Sequence, residues 1–171
     1  LSGMKIIFLL LGLIAAIAID VSLFSFFAIR GAFPSLVFLL VLATSFSHGL
    51  RASLFFIFGS FALNLFSGVF FGLIPLAFLL IASLTDLAMK RFFHERNLAL
   101  FSLVTVVATL LYGIIISGGQ YLLFLGKLIS TPVTIDFQLL ANILLAALLQ
   151  GLAAAALYPL ISRYTHVLSL Y

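Results

Sequence analysis

The chain has 171 residues, of which 65% are hydrophobic and only 7% are charged, and its mean hydropathy is +1.43. Soluble domains carry roughly 25% charged residues, so this chain has too few to cover a water-facing surface. It contains no cysteine, which excludes disulfides and thiolate chemistry, and its net charge of +4 is too scattered for a nucleic-acid-binding face. The composition predicts an all-α integral membrane protein.

Apolar runs of bilayer length predict about six transmembrane helices in a single domain, residues 4–171. Residues 1–3 precede Met4 and are interpreted as a tag remnant. The second run is short for a crossing, so we expect a short or tilted helix there. The predicted helices are, in chain order, Ile6–Ile29, Pro34–Leu50, Ala52–Phe66, Val69–Met89, Leu98–Ser117 and Leu139–Ile161.

The stretch between the last two helices is broken by glycine and proline. Gly118, Gly119 and Pro132 predict that residues 118–138 form an interfacial loop. Its apolar part, residues 121–128, is expected to lie in the membrane plane.

Lysine and arginine set the orientation, because they are enriched in cytoplasmic loops. If the polar segment 90–97 is cytoplasmic, six crossings place both termini in the cytoplasm and only Arg30 and Lys127 outside. The cytoplasmic set is then Lys5, Arg51, Lys90, Arg91, Arg96 and Arg163. This bias predicts a multi-pass membrane protein with both termini in the cytoplasm.

Two segments carry a resemblance to a known family. Residues 64–72, Asn-Leu-Phe-Ser-Gly-Val-Phe-Phe-Gly, resemble the Asp-Leu-x-Ser-Gly-x-x-x-Gly signature of the MreD family of bacterial rod shape-determining membrane proteins. Residues 96–100, Arg-Asn-Leu-Ala-Leu, are similar to the start of the following span in that family. The chain departs from the family at Asn64 and Ser35, where the family has Asp, so a role that needs a carboxylate does not carry over.

The resemblance implies a non-enzymatic scaffold with no cofactor. Such a protein binds MreC, a single-span protein, and helps couple MreB filaments to RodA and penicillin-binding protein 2 in peptidoglycan synthesis. Helix faces with small residues would hold the partner's spanning helix, and the outer loop would touch its extracytoplasmic domain. The alternative is a vitamin-binding subunit of an energy-coupling-factor transporter, a group with a similar number of helices, whose coupling subunit would dock on Ala15, Ala16 and Ala18.

Asp20 is the one acidic residue in the middle of a predicted span. An ionised carboxylate there costs roughly 2.5–3.5 kcal/mol on insertion scales, so something must offset it. Arg30 is ten positions away, about 15 Å along the helix, and cannot pair with it. The open alternatives are contact with a partner helix or a polar cavity, and a protonated or outward-leaning Asp20 that bonds to neighbouring backbone.

Each of the other candidate positions has a purely structural interpretation as well as a functional one. Asn64, Ser67, Gly68 and Gly72 fit either a partner site or a tight helical turn, and a turn alone is the simpler interpretation. Asp86 and Lys90 are four apart and are expected to form an ion pair at the interface.

Small and polar residues on the last helix indicate a face that another helix approaches. They are Asn142 and Gln150, with Ala147, Gly151 and Ala155 at four-residue spacing. Gly12 and Ala16 indicate a similar face on the first helix.

Catalytic patterns are missing. His94 and Glu95 begin an HExxH pattern, but Leu98 occupies the position of the second histidine, so no zinc site is predicted. His48 and His166 are isolated near predicted span ends. We therefore expect a protein that is not an enzyme and holds no metal.

Overall fold

The computed structural model describes residues 3–26, 35–93, 97–130 and 136–168. These residues form helices only, with no strand. The helices are α1 Gly3–Phe26, α2 Leu36–His48, α3 Leu50–Phe66, α4 Leu73–Arg91, α5 Leu98–Leu125 and α6 Phe137–Leu168.

Three of the helices are long and apolar enough to cross a membrane: Leu73–Arg91, Leu98–Leu125 and Phe137–Leu160. The segments Leu10–Ser22, Leu36–His48 and Leu50–Phe66 are also apolar and helical but shorter. Large apolar side chains are exposed on the outside of the bundle, including Phe58 at 71% and Leu152 at 69%. Such faces are stable in hydrocarbon, which agrees with the composition.

Helix α2 is the core of the bundle and contacts each of the other five helices. At 13 residues it is about 20 Å long, whereas the hydrocarbon layer is about 30 Å thick. Its buried side chains are Val37, Phe38, Leu39, Val41, Leu42, Ala43, Thr44, Ser45 and Phe46. The expectation that the second helix is short is therefore met.

Aromatic contacts show how α2 is oriented. The Phe38 ring lies 5.0 Å from that of Phe78 and 5.4 Å from that of Tyr112, and the Phe46 ring lies 5.3 Å from that of Phe101. Since Ser45 also donates to the Ala82 carbonyl, α2 runs parallel to α4 and antiparallel to α5.

The bundle has two distinguishable ends. We call the end that carries the α3–α4 connection, residues 67–72, the turn end, and the end that carries Arg51, Lys90 and Arg91 the basic end. Lys127, just after α5, lies at the turn end.

The prediction for the end of the fifth helix was wrong. Helix α5 continues through Gly118 and Gly119 to Leu125, so residues 118–125 are helical and do not form an interfacial loop. The pair is accommodated because Gly119 packs against Leu73, where an added Cβ would lie 2.7 Å from the Leu73 Cδ1. The loop prediction also failed at its far side, since α6 already begins at Phe137.

Most of the other predicted boundaries shift by a few residues, α6 ending at Leu168 and not at Ile161. Helix α4 begins at Leu73, not at Val69, because residues 67–72 form the turn. Helix α2 begins at Leu36 with Ser35 as its N-cap, and the predicted start at Pro34 lies outside the described residues.

Helices α5 and α6 pack closely at two glycines. A Cβ added to Gly113 would lie 2.7 Å from the Ile143 Cγ2, and one added to Gly151 would lie 2.6 Å from the Val106 Cγ2. The absence of a side chain at these two glycines lets the helix backbones approach closely.

Candidate functional site

The Asp20 carboxylate caps the N-terminus of α2. It accepts hydrogen bonds from the Leu36 N–H at 2.7 Å, the Val37 N–H at 3.1 Å and the Ser35 hydroxyl at 2.8 Å. Asp20 is completely buried. A helix N-terminus carries unpaired N–H groups and a partial positive charge, so this carboxylate supplies both hydrogen-bond acceptors and charge complementarity.

Gln150 of α6 binds the same turn from the other side. Its Oε1 accepts from the Ser35 N–H at 2.8 Å, and its Nε2 donates to the Ser35 carbonyl at 2.8 Å. The Ser35 hydroxyl in turn accepts from the Phe38 N–H at 3.2 Å. We call Asp20, Ser35 and Gln150 the polar junction, since together they join α1, α2 and α6.

The Asp20 side chain bonds to the backbone of the first turn of α2 and to the Ser35 hydroxyl. The sequence did not indicate which helix would supply these groups. Sequence reasoning singled out Asp20 and Gln150 separately and treated Ser35 only as a departure from the family pattern. The missed signal was a serine directly before an apolar run, a common N-cap arrangement.

Asn64 organises the α3–α4 turn. Its Oδ1 accepts from the Gly72 N–H at 2.7 Å, and its Nδ2 donates to the carbonyls of Val69 at 3.0 Å and Phe70 at 3.4 Å. Ser67 donates to the Asn64 carbonyl and accepts from the Val69 N–H. These bonds are those of a turn, and Gly72 completes it with a φ of +92°.

Gly68 lies in the same turn with a φ of +68°, and an added Cβ there would meet nothing within 4 Å. All four residues that resemble the family signature are therefore brought together at the turn end of the bundle.

Arg51, Lys90 and Arg91 lie at the opposite end, the basic end. Lys90 forms the expected ion pair with Asp86, with an Nζ–Oδ2 distance of 2.7 Å, and the Arg91 guanidinium lies 5.8 Å from the centre of the Phe92 ring. Arg51 is exposed in the first turn of α3. Arg96, with His94 and Glu95, lies outside the described residues.

The acidic side chains that the structure describes all lie near the N-terminus of a helix. Asp20 caps α2, and Asp136 caps α6 by accepting from the Leu139 N–H at 2.8 Å. Asp86 lies beside the start of α3, where its Oδ1 would be 2.8 Å from a Cβ added to Gly49. Each of these carboxylates therefore lies at the N-terminus of a helix.

Asn142 differs from the other candidate residues. It is half-exposed on α6 and its side chain makes no hydrogen bond to any described residue. The small residues predicted beside it divide into two groups, since Ala147 and Gly151 are buried whereas Ala155 is half-buried.

A groove runs between α1 and α6. These two helices make no contact with each other in the described residues, and the side of α2 forms the floor between them. The groove contains a cavity of about 210 Å³. Its lining is entirely apolar: Gly12, Ala16, Ile19, Leu36, Leu39, Leu40, Leu157 and Leu160.

The fold and these sites define an all-helical protein with three helices of membrane-crossing length and composition. Comparisons of the chain with protein-family models, with curated proteins and with solved structures gave no match.

Proposed function

We propose that this chain is a non-enzymatic scaffold of the MreD kind in a bacterial inner membrane. In this function it binds an MreC-like single-span protein. Through that partner it helps couple MreB to the peptidoglycan synthases RodA and penicillin-binding protein 2, and so contributes to cell elongation.

The observation that carries the proposal is the use of the polar side chains within the fold. Asp20, Gln150 and Asn64 bind backbone groups of the chain itself, and Asp86 pairs with Lys90. Substrate chemistry or an ion relay within a membrane needs ionisable groups that face a cavity. The surface left for function is apolar helix faces, and their chemistry is packing against another helix or lipid.

We further propose six crossings with both termini in the cytoplasm. Arg51, Lys90 and Arg91 lie at the basic end, whereas Lys127 lies at the turn end. The excess of basic residues at one end supports a cytoplasmic location for that end. In this orientation the N-terminus of α2 lies within the hydrocarbon layer, out of contact with water. There the Asp20 carboxylate accepts the hydrogen bonds that water accepts at an exposed helix N-terminus.

Co-purification tests the scaffold function. The chain is co-expressed with a full-length MreC-like protein, and we expect a complex of fixed stoichiometry that persists through size-exclusion chromatography in detergent. A single-span protein that lacks the MreC-like spanning sequence is the control. Failure to form this complex would contradict the proposed function.

A second candidate function is the vitamin-binding subunit of an energy-coupling-factor transporter. The observation that favours it is an open depression of about 640 Å³ at the end of α5. It is lined by Phe124, Leu125, Lys127, Leu128, Ile129 and Ser130. A vitamin retained by the purified protein would favour this function over the scaffold.

A further inference from the structure

Two exposed arginines lie at the basic end, each in line with a row of exposed apolar side chains. On α3, Arg51, Leu54, Phe58, Phe61 and Leu65 follow one another at spacings of three or four residues, and all five are exposed. Residues at these spacings share one face of a helix. The outer face of α3 therefore carries a cation at the basic end and apolar side chains from there toward the turn end.

Helix α4 repeats this pattern in the opposite chain direction. Leu80, Leu84, Leu87 and Arg91 are exposed and follow one another at the same spacings, so they also share a face. On both helices a guanidinium group lies at the end of an apolar row that is suited to hydrocarbon.

The packing of α3 against α4 makes the two arginines neighbours. A Cβ added to Gly49, directly before α3, would lie 2.8 Å from the Asp86 Oδ1 in the last turns of α4. The Asp86 carboxylate is bound by Lys90 at 2.7 Å, and neither Arg51 nor Arg91 bonds to a carboxylate of any residue that the structure describes. The three cations and one carboxylate at this end therefore leave two positive charges without an acidic partner in the described part of the chain.

We infer that these arginines bind the headgroup of an anionic phospholipid. The surface, which we call the arginine rim, consists of Arg51 and Arg91 with Leu54 and Leu87 one turn inside them. Guanidinium groups bind phosphate oxygens through paired N–H donors, and the apolar rows contact the acyl chains of the same lipid. A lipid with a net negative charge is favoured, because a zwitterionic lipid brings its own cation beside the phosphate. The inference goes beyond the scaffold function and does not depend on it.

A soluble acidic protein fits the arginine rim less well. Such a protein would reach the two arginines from water but would not contact Leu54 and Leu87, which lie further toward the hydrocarbon. A phospholipid meets both kinds of side chain at once, because its phosphate lies at the membrane surface while its chains run beside the helices.

Fluorescence quenching by brominated lipids tests the arginine rim in the full-length chain. The chain has no tryptophan, so Leu87→Trp supplies a single reporter at a position that is 57% exposed. The protein is reconstituted in bilayers in which either phosphatidylglycerol or an equal fraction of phosphatidylcholine carries brominated acyl chains. We expect stronger quenching by phosphatidylglycerol. Arg51→Gln and Arg91→Gln should each lower this preference about fivefold, the factor that corresponds to about 1 kcal/mol for a basic residue at an anionic surface.

Three controls accompany this measurement. Arg91→Lys keeps the charge and should keep more of the preference than Arg91→Gln. Lys127→Gln removes an exposed cation at the turn end and should leave the preference at position 87 unchanged. A second reporter, Leu152→Trp on α6, is 69% exposed in the unchanged chain and should show no preference between the two lipids.

Equal quenching by the two lipids at position 87 would overturn the inference and would leave the arginines to water or to an acidic protein. A preference that survives both arginine substitutions would also overturn it. Sodium phosphate identifies the source of the bound phosphate. If it abolishes the preference at an ionic strength at which sodium chloride does not, the arginines bind the free anion and the assignment to a lipid fails. The scaffold function is measured separately by co-purification and is unaffected by each of these outcomes.

Discussion

At the scale of single residues, two of the acidic groups that the structure describes cap helix N-termini. Asp20 accepts three hydrogen bonds at the start of α2, and Asp136 accepts one at the start of α6. A buried carboxylate with three donors replaces the water shell that it loses, which explains how a charged residue type can lie inside a bundle of this composition.

Asp20→Asn tests this capping role. The amide nitrogen that replaces one carboxylate oxygen would face N–H and O–H donors, so at least one of the three hydrogen bonds is lost, and we expect stability to fall by about 1–3 kcal/mol. The measurement is the thermal unfolding midpoint in detergent. Asp136→Asn is the control, because asparagine is as good an N-cap as aspartate at this exposed position. Equal effects of the two variants would contradict the role assigned to Asp20.

Asn64→Asp tests whether the turn needs an amide. Aspartate keeps the acceptor for the Gly72 N–H but loses the donor to the Val69 and Phe70 carbonyls, so we expect a loss of about 1–3 kcal/mol in the same unfolding measurement. Asn97→Asp is the matched control. Asn97 acts only as an acceptor at the N-cap of α5, bonding the Leu100 N–H, and aspartate replaces it there without loss. A neutral Asn64→Asp would mean that the amide donor is dispensable.

At the scale of elements, the short helices are positioned by the groups at their ends. Helix α2 starts at the polar junction and ends at Gly49, which directly precedes α3. Gly49 has φ +84° and ψ 179°, a combination that only glycine adopts readily. This one-residue joint turns the chain from α2 into α3 beside the Asp86 side chain.

Gly49→Ala is therefore expected to destabilise the bundle strongly. The strained backbone costs about 1–3 kcal/mol, and the new methyl group would lie 2.8 Å from the Asp86 Oδ1. Gly68→Ala is the control, since it has a similar φ of +68° but open space around it. Unfolding midpoints should fall more for position 49 than for position 68, and the reverse order would be inconsistent with the contact to Asp86.

The adjacent glycines inside α5 are expected to respond differently to alanine. Gly118→Ala adds a methyl group into open space and should stabilise the helix by about 0.5–1 kcal/mol, because glycine is a poor helix former. Gly119→Ala gains the same helix propensity but crowds the Leu73 side chain, so it should be less stable than Gly118→Ala. Identical unfolding midpoints would show that α4 and α5 are not packed at this point.

At the scale of the whole molecule, a short and largely buried helix, α2, is surrounded by longer ones. Helix α5 has 28 residues and spans about 42 Å, twice the length of α2. The polar groups of α2 are satisfied by Asp20 and Gln150 at one end, so water is not required there. The outer faces of the long helices expose large apolar side chains.

Single-cysteine labelling tests the proposed orientation. Ser130→Cys at the turn end and Phe93→Cys at the basic end lie on either side of α5 in a chain with no other thiol. We expect a membrane-impermeant maleimide to label position 130 in intact cells and position 93 only after permeabilisation. The reverse pattern would invert the topology, and equal access at both positions would argue that α5 does not cross the membrane.

Much of the helical layout follows from local patterns. The third helix was predicted to end at Phe66, the end found for α3, and the start of the fifth at Leu98 is that of α5. Apolar runs and the Asn97 cap are signals within a few residues of each boundary. The end of α5 was missed because glycine weakens a helix without ending it, and the Leu73 side chain that packs against Gly119 is distant in sequence.

The sequence by itself determined that this chain is helical and apolar, and approximately where most of its helices lie, because hydrophobic periodicity and capping are local properties. Only the tertiary structure decided what Asp20 and Gln150 do, since their shared partner Ser35 is separated from Gln150 by 115 residues. The tertiary structure also decided which helix faces with small residues pack against another helix of the bundle. Ala147 and Gly151 pack within the bundle, whereas Gly12 and Ala16 line a groove that no described helix fills, because α1 and α6 are held apart by α2.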